Sequence, residues 1–382
     1  MRPLPLIIIL TVLNHIAFNG SRVTMALYAI HFNASALTVG TLMALYALLP
    51  ALLSVTAGRW VDRIGVDRPM WLGSCILGIG MALPFLLPGL MTLYVAAALI
   101  GVSFMLINVT AYHAVGAMST AQDRPVNFSY VALGFSISSF IAPMLSGITI
   151  DNLGHRAAFL VLGLFTLFPI VALGLRLVPL PESEIKLSRP TNSKIFDLFQ
   201  GHELRRLFVI MAILTVSWDV YNFAIPIYGH GIGLSASQIG MVMGAFAAAT
   251  FTVRLAMPFI ATRIAPWTML TASLVIAGLS FCVLPFASNI IVLMLLMFML
   301  GLGLGAPQPI VLTLLHEAAP NGRAGEALGL RTTLINTSQT VMPLLFGAVG
   351  ATLGLNPVFW SMAVILGVGS YFAKRHSPHR KP

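Results

Sequence analysis

Roughly twelve apolar runs of about twenty residues follow one another along this chain, each long enough to cross a bilayer as a helix. They fall at 5–31, 36–58, 69–88, 91–118, 126–150 and 157–178, then at 206–229, 236–261, 266–287, 289–316, 328–353 and 356–373. Charged residues make up 8% of the chain, against roughly a quarter in a soluble domain that must coat its surface. Most of the outer surface therefore meets lipid, and the expected fold is all-α, integral to the membrane. One long polar stretch, 179–205, separates a six-helix half (1–178) from a second (206–373), and a short basic tail (374–382) follows.

The net charge is +10, but the bases are scattered singly through short loops. No basic helix gathers them for nucleic acid, and orientation in the membrane explains them better. One set of span ends carries Arg2, Arg59, Arg63, Arg68, Arg124, Arg263, Arg323, Lys374, Arg375, Arg380 and Lys381, whereas the other carries Arg156. This asymmetry predicts that both termini and the linker are cytoplasmic. Cys75 and Cys282 sit inside apolar runs and read as packing residues, with no metal or disulfide spacing. The apolar stretch after Arg2 continues to Ile30 without a small-x-small cleavage site, so it reads as the first span and not as a leader.

An internal repeat organises the spans. A shift of 200 residues lays Ser35-Ala36 on Ser235-Ala236, Gly40 on Gly240, Met43 on Met243, Ala47 on Ala247 and Arg63-Ile64 on Arg263-Ile264. It also lays Pro143, Leu145, Gly147, Leu153, Gly154 and Phe159 on Pro343, Leu345, Gly347, Leu353, Gly354 and Phe359. Apolar matches are cheap in such a chain, but paired Gly, Pro and Arg at one offset are not. Two parallel six-helix halves follow, with a substrate site expected near the midplane between them.

The segment Gly58-Arg-Trp-Val-Asp62-Arg63-Ile-Gly65-Val-Asp-Arg68 resembles the loop signature of the major facilitator superfamily, and lies where that family has it, between the second and third spans. The family commonly has a base where this chain has Asp67, and the second copy, Pro258–Ala265, keeps Arg263 and loses the acid. In the fifth span, Ser138-x-x-x-Ala142-Pro143-x-x-Ser146-Gly147 is similar to the family's antiporter signature, with small residues replacing three glycines. Asp151-x-x-Gly154-His-Arg156 resembles its turn into the sixth span. Gly101–Met118 carries no arginine, unlike the fourth span of many proton-coupled members.

The resemblance implies the superfamily's fold, twelve transmembrane helices in two pseudo-symmetric bundles, working as a monomer. It implies a gate at Gly58, Asp62, Arg63, Gly65 and Arg68 that clasps the cytoplasmic side in the outward-facing state. A charge cluster of this kind biases a two-state equilibrium by about a few kcal/mol; orientation alone is the plainer reading. A bacterial inner membrane is the location implied.

Ionisable residues within spans are expensive in a bilayer and so are functional candidates. Asp219, in Ser217-Trp-Asp-Val-Tyr-Asn222, falls mid-span and opposite Asn19 under the shift. It is a candidate proton carrier, because taking a carboxylate out of water favours its protonated form; the alternative is a fixed salt bridge to Arg22. Arg22 and Arg254 are candidates for a substrate carboxylate or phosphate, although Arg254 is near enough to the span end to snorkel. Asn19, Asn108, His113, Asn222 and Gln308 complete the substrate-binding candidates; Asn108 and Gln308 coincide under the shift, and interhelical hydrogen bonding is their other reading. His15 and His113 titrate near neutral pH when solvated, yet a lone histidine in a bundle is more often a packing residue. Gly301–Pro309 lacks the Lys-Ser/Thr of a phosphate loop and reads as close packing with a kink. Arg323-Ala-Gly-Glu326-x-x-Gly329-Leu-Arg331 is a second charge cluster, either a latch or a set of caps.

No metalloprotease, hydrolase-elbow or paired intramembrane aspartate pattern occurs, so neither an enzyme nor a cofactor is expected. The leading expectation is a secondary active transporter exporting a small organic compound in exchange for protons. The alternative is a proton-coupled importer of a small organic anion, suggested by Arg22 and Arg254 set against Asp219.

Overall fold

A computed structural model of the chain describes residues 3–120, 123–177, 202–260, 263–318 and 324–375, and within them every regular element is a helix. The N-terminal half holds α1 (Pro3–His31), α2 (Ala36–Ile64), α3 (Asp67–Leu86), α4 (Leu90–Ala117) and α5 (Arg124–Gly174). The C-terminal half holds α6 (His202–Gly231), α7 (Ala236–Ile260), α8 (Pro266–Val283), α9 (Ile290–Gly305), α10 (Pro307–Ala318), α11 (Ala324–Leu353) and α12 (Asn356–Arg375).

Among the described residues nine helices are long and apolar enough to span a membrane. α5 is two spans, because Gly154 breaks it with a left-handed φ of 84° that glycine tolerates without steric cost. α9 and α10 together make the tenth crossing, broken at Ala306–Pro307 where the kink was expected. With α11, the described residues make twelve crossings. Most of the expected linker and tail (178–201 and 376–382) lies outside the described residues.

Local chemistry ends the helices where the apolar runs stop. Ser35 caps α2 by accepting from Thr38 N at 3.2 Å, and Asn289 caps α9 by accepting from Ile291 N at 2.8 Å. Ser235 and Gln238 cap the start of α7 reciprocally. Gly354, the repeat partner of Gly154, also has a left-handed φ, 78°, and Asn33 and Gly233 form the corresponding pair after α1 and α6.

Two sequence expectations are corrected. The segment from Gly58 is not a loop: α2 runs to Ile64, so Gly58, Asp62 and Arg63 are helical and only Gly65 and Val66 separate α2 from α3. Gly65 ends the helix with φ 82° and donates its N–H to Val61 O. Cys282, expected in the packing, is exposed on α8, while Cys75 is half-buried.

Within the first half α1 packs on α5, and α3 on α4; within the second, α7 packs on α9 and α8 on α12. The halves meet where α2 packs on α11 and α5 on α7. Under the repeat these two junctions are the same junction.

Candidate functional site

Asp219 is 2% exposed, midway along α6. Ser338 Oγ of α11 donates to its Oδ2 at 2.5 Å. Arg22 of α1 stands within electrostatic reach of Asp219 and of the phenols of Tyr46 and Tyr221. Its Nε is buried without a hydrogen-bond partner, so Asp219 is held by a hydroxyl and not by a fixed bond to that nitrogen. Tyr46 is positioned by Ser21 Oγ at 3.0 Å and Tyr221 donates to Met243 O at 3.2 Å. Together these residues place one carboxylate and one guanidinium between the halves, in a setting where neither is fully satisfied by the other.

The repeat supplies a counterpart to the Ser338 bond. Ser138 of α5, its partner under the shift, hydrogen-bonds His15 Nδ1 of α1, and His15 stacks on Phe135 with ring centroids 4.3 Å apart. His15 is therefore a hydrogen-bonded packing residue in this state. The other predicted polar residues scatter. Asn222 donates to Trp218 O in its own helix at 2.9 Å, Asn108 Oδ1 is buried without a partner, and Asn19 is half-buried on α1. His113 lies half-buried on α4. Arg254 reaches inward, donating Nη1 to Ser136 Oγ at 2.8 Å and Nη2 to Gln308 Oε1 at 2.6 Å.

The fifth-span signature works as a two-faced contact. Ser146 Oγ donates to Gly20 O of α1 at 3.0 Å, and Ala142 and Pro143 are buried. Gly147 lies so close to the Ala236 carbonyl of α7 that a side chain there would strike backbone. Gly240 meets the Pro143 carbonyl in the same way. The repeat partners do likewise at the second junction: Gly347 against the Ala36 carbonyl and Gly40 against that of Pro343. Four glycines thus let the halves touch backbone to backbone at the end away from the chain termini, here called the distal end.

One charge adds to this closure. Asp151, in the helix three residues before the Gly154 break of α5, accepts from Ala236 N at 3.0 Å and Ser237 N at 2.7 Å, so an acid of one half caps a helix of the other. Partial burial works to raise its carboxyl pKa, but the hydrogen bonds from Ser237, Ser235 and Ala236 hold it below the usual range. Its repeat partner is Ala351, so the second junction has no such cap. Beside it, His155 stacks on Tyr28 at 5.3 Å and lies 4.8 Å from His31. Burial, then the nearby imidazoles of His31 and His230, lower its pKa to about 4 against the pull of Asp151.

At the terminal end, a side chain at Gly58 would meet open space, as would one at Gly65. Arg63 and Arg68 are exposed. Arg323 and the side chains of Asp62 and of Ala324 to Gly329 lie outside the described residues. Sequence reasoning missed Ser338, Tyr46, Tyr221, Ser136 and Tyr112. Ser338 had one usable signal, its place 200 residues after Ser138.

The chain matches the Major Facilitator Superfamily over residues 7–210 and 207–382. It is 24% identical to "Multidrug resistance protein 1" of Bacillus subtilis over 89% of this chain and 87% of that protein. It is 28% identical to a "Di-/tripeptide transporter" of Lactococcus lactis over 47% of this chain and 36% of that protein. With a "Vesicular acetylcholine transporter" of Rattus norvegicus the identity is 26%, over 65% and 48%. The chain therefore spans less than half the length of the last two. Among solved structures, a POT family transporter in complex with a thioalcohol-conjugated peptide superposes with a TM-score of 0.80 at 14% identity, covering 99% and 96% of the two chains. A bacterial homologue of the lysosomal transporter Spinster, inward-facing and unoccupied, gives 0.78 at 14%, covering 97% and 95%. At these identities the structures speak for the fold alone. Family and fold make the chain a multi-pass membrane protein. With two repeated six-helix halves around a central polar site, and a family match running from Ile7 to its last residue, the chain belongs to the major facilitator superfamily.

Proposed function

We propose that the chain is a secondary active transporter working by alternating access, and that it exports a small organic compound in exchange for protons. The observation that carries the coupling is Asp219, a carboxyl group buried between the halves, held by one serine hydroxyl. A group so placed can be neutral or charged as its surroundings change with the state of the protein. Closure of the distal end by four glycines and Asp151 is one of the two states such a cycle needs. In the other state, Gly58, Asp62, Arg63, Gly65 and Arg68 clasp the terminal end. Export is supported by the fifth-span signature and by the multidrug resistance relative that aligns over most of both chains. The membrane is a bacterial inner membrane, with the terminal end cytoplasmic and the chain a monomer.

The test is flux in proteoliposomes under an imposed proton gradient, using a panel of organic solutes. Solute movement against the gradient, lost in Asp219→Asn, is the expected result. Flux that ignores the gradient in the wild-type protein, or full gradient-driven flux in Asp219→Asn, would sink the coupling. A second reading, import of an organic anion, is favoured by Arg22 and Arg254, which outnumber Asp219 between the halves. Solute moving in the same direction as protons would select it.

A further inference from the structure

Arg254 of α7 points away from the water that a cation near the end of a span would be expected to reach. Its Cα lies about 9 Å along α7 from Ile260, close enough for the side chain to snorkel to the terminal end. The guanidinium turns back toward the interior, the direction in which a helix tilts its side chains when its N-terminus is the far end. Nη1 donates to Ser136 Oγ of α5 at 2.8 Å, and Nη2 to Gln308 Oε1 of α10 at 2.6 Å. Ser136 lies about 18 Å along α5 from Arg124 and is 4% exposed. Its own hydroxyl donates to Ala132 O at 3.1 Å, which leaves an oxygen lone pair to accept from Arg254.

The two acceptors belong to different bodies. Ser136 follows Phe135, which stacks on His15 with centroids 4.3 Å apart and meets Tyr112 edge-on at 85°, so its turn of α5 is fixed within the first half. Gln308 opens α10, just past the break at Ala306–Pro307. Before that break α9 is pressed onto α7. Gly301 lies so close to the Phe246 carbonyl, and Gly305 to the Thr250 Cα, that a side chain at either would strike backbone. Thr250 Oγ1 also donates to Gly301 O at 3.3 Å. After the break, α10 packs on α6, α8 and α11. Arg254, one turn beyond Thr250, therefore carries the hold of α7 across the break, and with the same guanidinium reaches the first half.

We propose that Arg254 is a strut between the halves, which holds α10 in place only while Ser136 and Gln308 are both within its reach. A guanidinium suits this task because its donors are fixed in a planar fork and can serve two acceptors at once. Rocking of the halves, for which the strut rests on the transport reading above, shifts α5 against α7 and breaks the Ser136 bond. One neutral acceptor no longer offsets the cost of a cation turned into the bundle. The guanidinium then swings to the terminal-end water and releases Gln308, so the residue has two positions for one movement to choose between. A displacement of the first half thus reaches α10, which borders α6, the helix that carries Asp219.

Hydrogen exchange in the full-length protein, reconstituted in lipid nanodiscs, tests the strut. Ser136→Ala removes one buried hydroxyl of the first half, yet the peptide covering α10 in the second half should exchange roughly tenfold faster. Arg254→Gln should do the same. The double variant should exchange no faster than the faster single one, because the two residues act as one unit. Ser136→Thr, which keeps the hydroxyl, should restore the wild-type rate. The peptide covering α12, which packs on α8, serves as the control and should not change; size-exclusion profiles check that the variants fold. Exchange of α10 unchanged in Ser136→Ala, additive effects in the double variant, or equal acceleration in α12 would each overturn the strut. An unmoved α10 alongside intact gradient-driven flux would refute the strut and leave the transport reading standing. A responsive α10 in a protein without gradient-driven flux would do the reverse.

Discussion

Ser338 donates its hydroxyl to Asp219 Oδ2 across 2.5 Å, tying α11 to α6 at the centre of the bundle. Its repeat partner Ser138 ties α5 to α1 through His15. The two halves thus use one architectural device, a serine of the fifth or eleventh span against an ionisable residue of the first or seventh. The device carries a carboxylate in the second half and an imidazole in the first, and only the carboxylate is nearly solvent-free.

Removing the Ser338 hydroxyl leaves the buried carboxylate without its donor, at a cost of about 1–3 kcal/mol to its charged form. Ser338→Ala should therefore cut gradient-driven flux by roughly tenfold, while Ser138→Ala has a much smaller effect on coupling. Equal losses in the two variants, measured in the same proteoliposomes, would mean that both serines act only in packing.

Gly40 lies against the Pro343 carbonyl, and a large side chain there cannot coexist with the closed distal end. Overpacking of this kind costs about 1–3 kcal/mol, borne only by the state in which the halves touch. Gly40→Leu should shift the population toward distal opening. Spin labels at Leu37 and Leu353, both exposed near that end, should move apart. An unchanged distance distribution would show that the junction yields locally instead.

Asp151 accepts from the first two N–H groups of α7. Asp151→Asn keeps the shape but loses the charge, a change of about 1 kcal/mol by the usual worth of such caps. Faster hydrogen exchange at Ala236 and Ser237 is the expected signature. Protection equal to wild type would rule Asp151 out as the cap.

Acid should loosen the same end. The pKa of His155, about 4 in the closed arrangement, lies below the ordinary value near 6.5. Between these values the closed state binds fewer protons than a state in which the ring is hydrated, so falling pH favours separation. The stabilising effect is whole above about 6.5 and is lost as pH falls toward 4. Facing His155 are His31, His230, Tyr28 and Asp151; Asp151 keeps its charge through this window, because its own pKa is held low. The Leu37–Leu353 label distance should lengthen over that range, and His155→Gln should flatten the response. A response that survives in His155→Gln would point to another group.

The repeat was legible because glycine and proline are chosen for backbone reasons that leave few substitutes. Gly154 and Gly354 keep left-handed φ values that other residues rarely adopt. Gly40, Gly147, Gly240 and Gly347 keep backbones in contact. Asp219 was legible for a different reason, since a carboxylate in an apolar run is too costly to be incidental. Ser338 was not: α11 carries several hydroxyl and amide residues between Thr332 and Thr340, and nothing in their order says which one turns toward α6. The segment from Gly58 shows the opposite error, where charge suggested a loop and α2 simply continued to Ile64.

By itself, the sequence determined the number of crossings, the two-half repeat and the few ionisable residues inside the membrane. Each of these follows from costs that hold wherever the chain sits, namely the price of polar groups in lipid and the conformations open to glycine and proline. The tertiary structure alone decided which residues meet: Ser338 with Asp219, Asp151 with the start of α7, Arg254 with Ser136 and Gln308. Those pairings depend on how each helix is rotated and on how the halves dock. Rotation and docking are set by contacts between residues up to about 200 positions apart in the chain, which neither periodicity nor composition encodes.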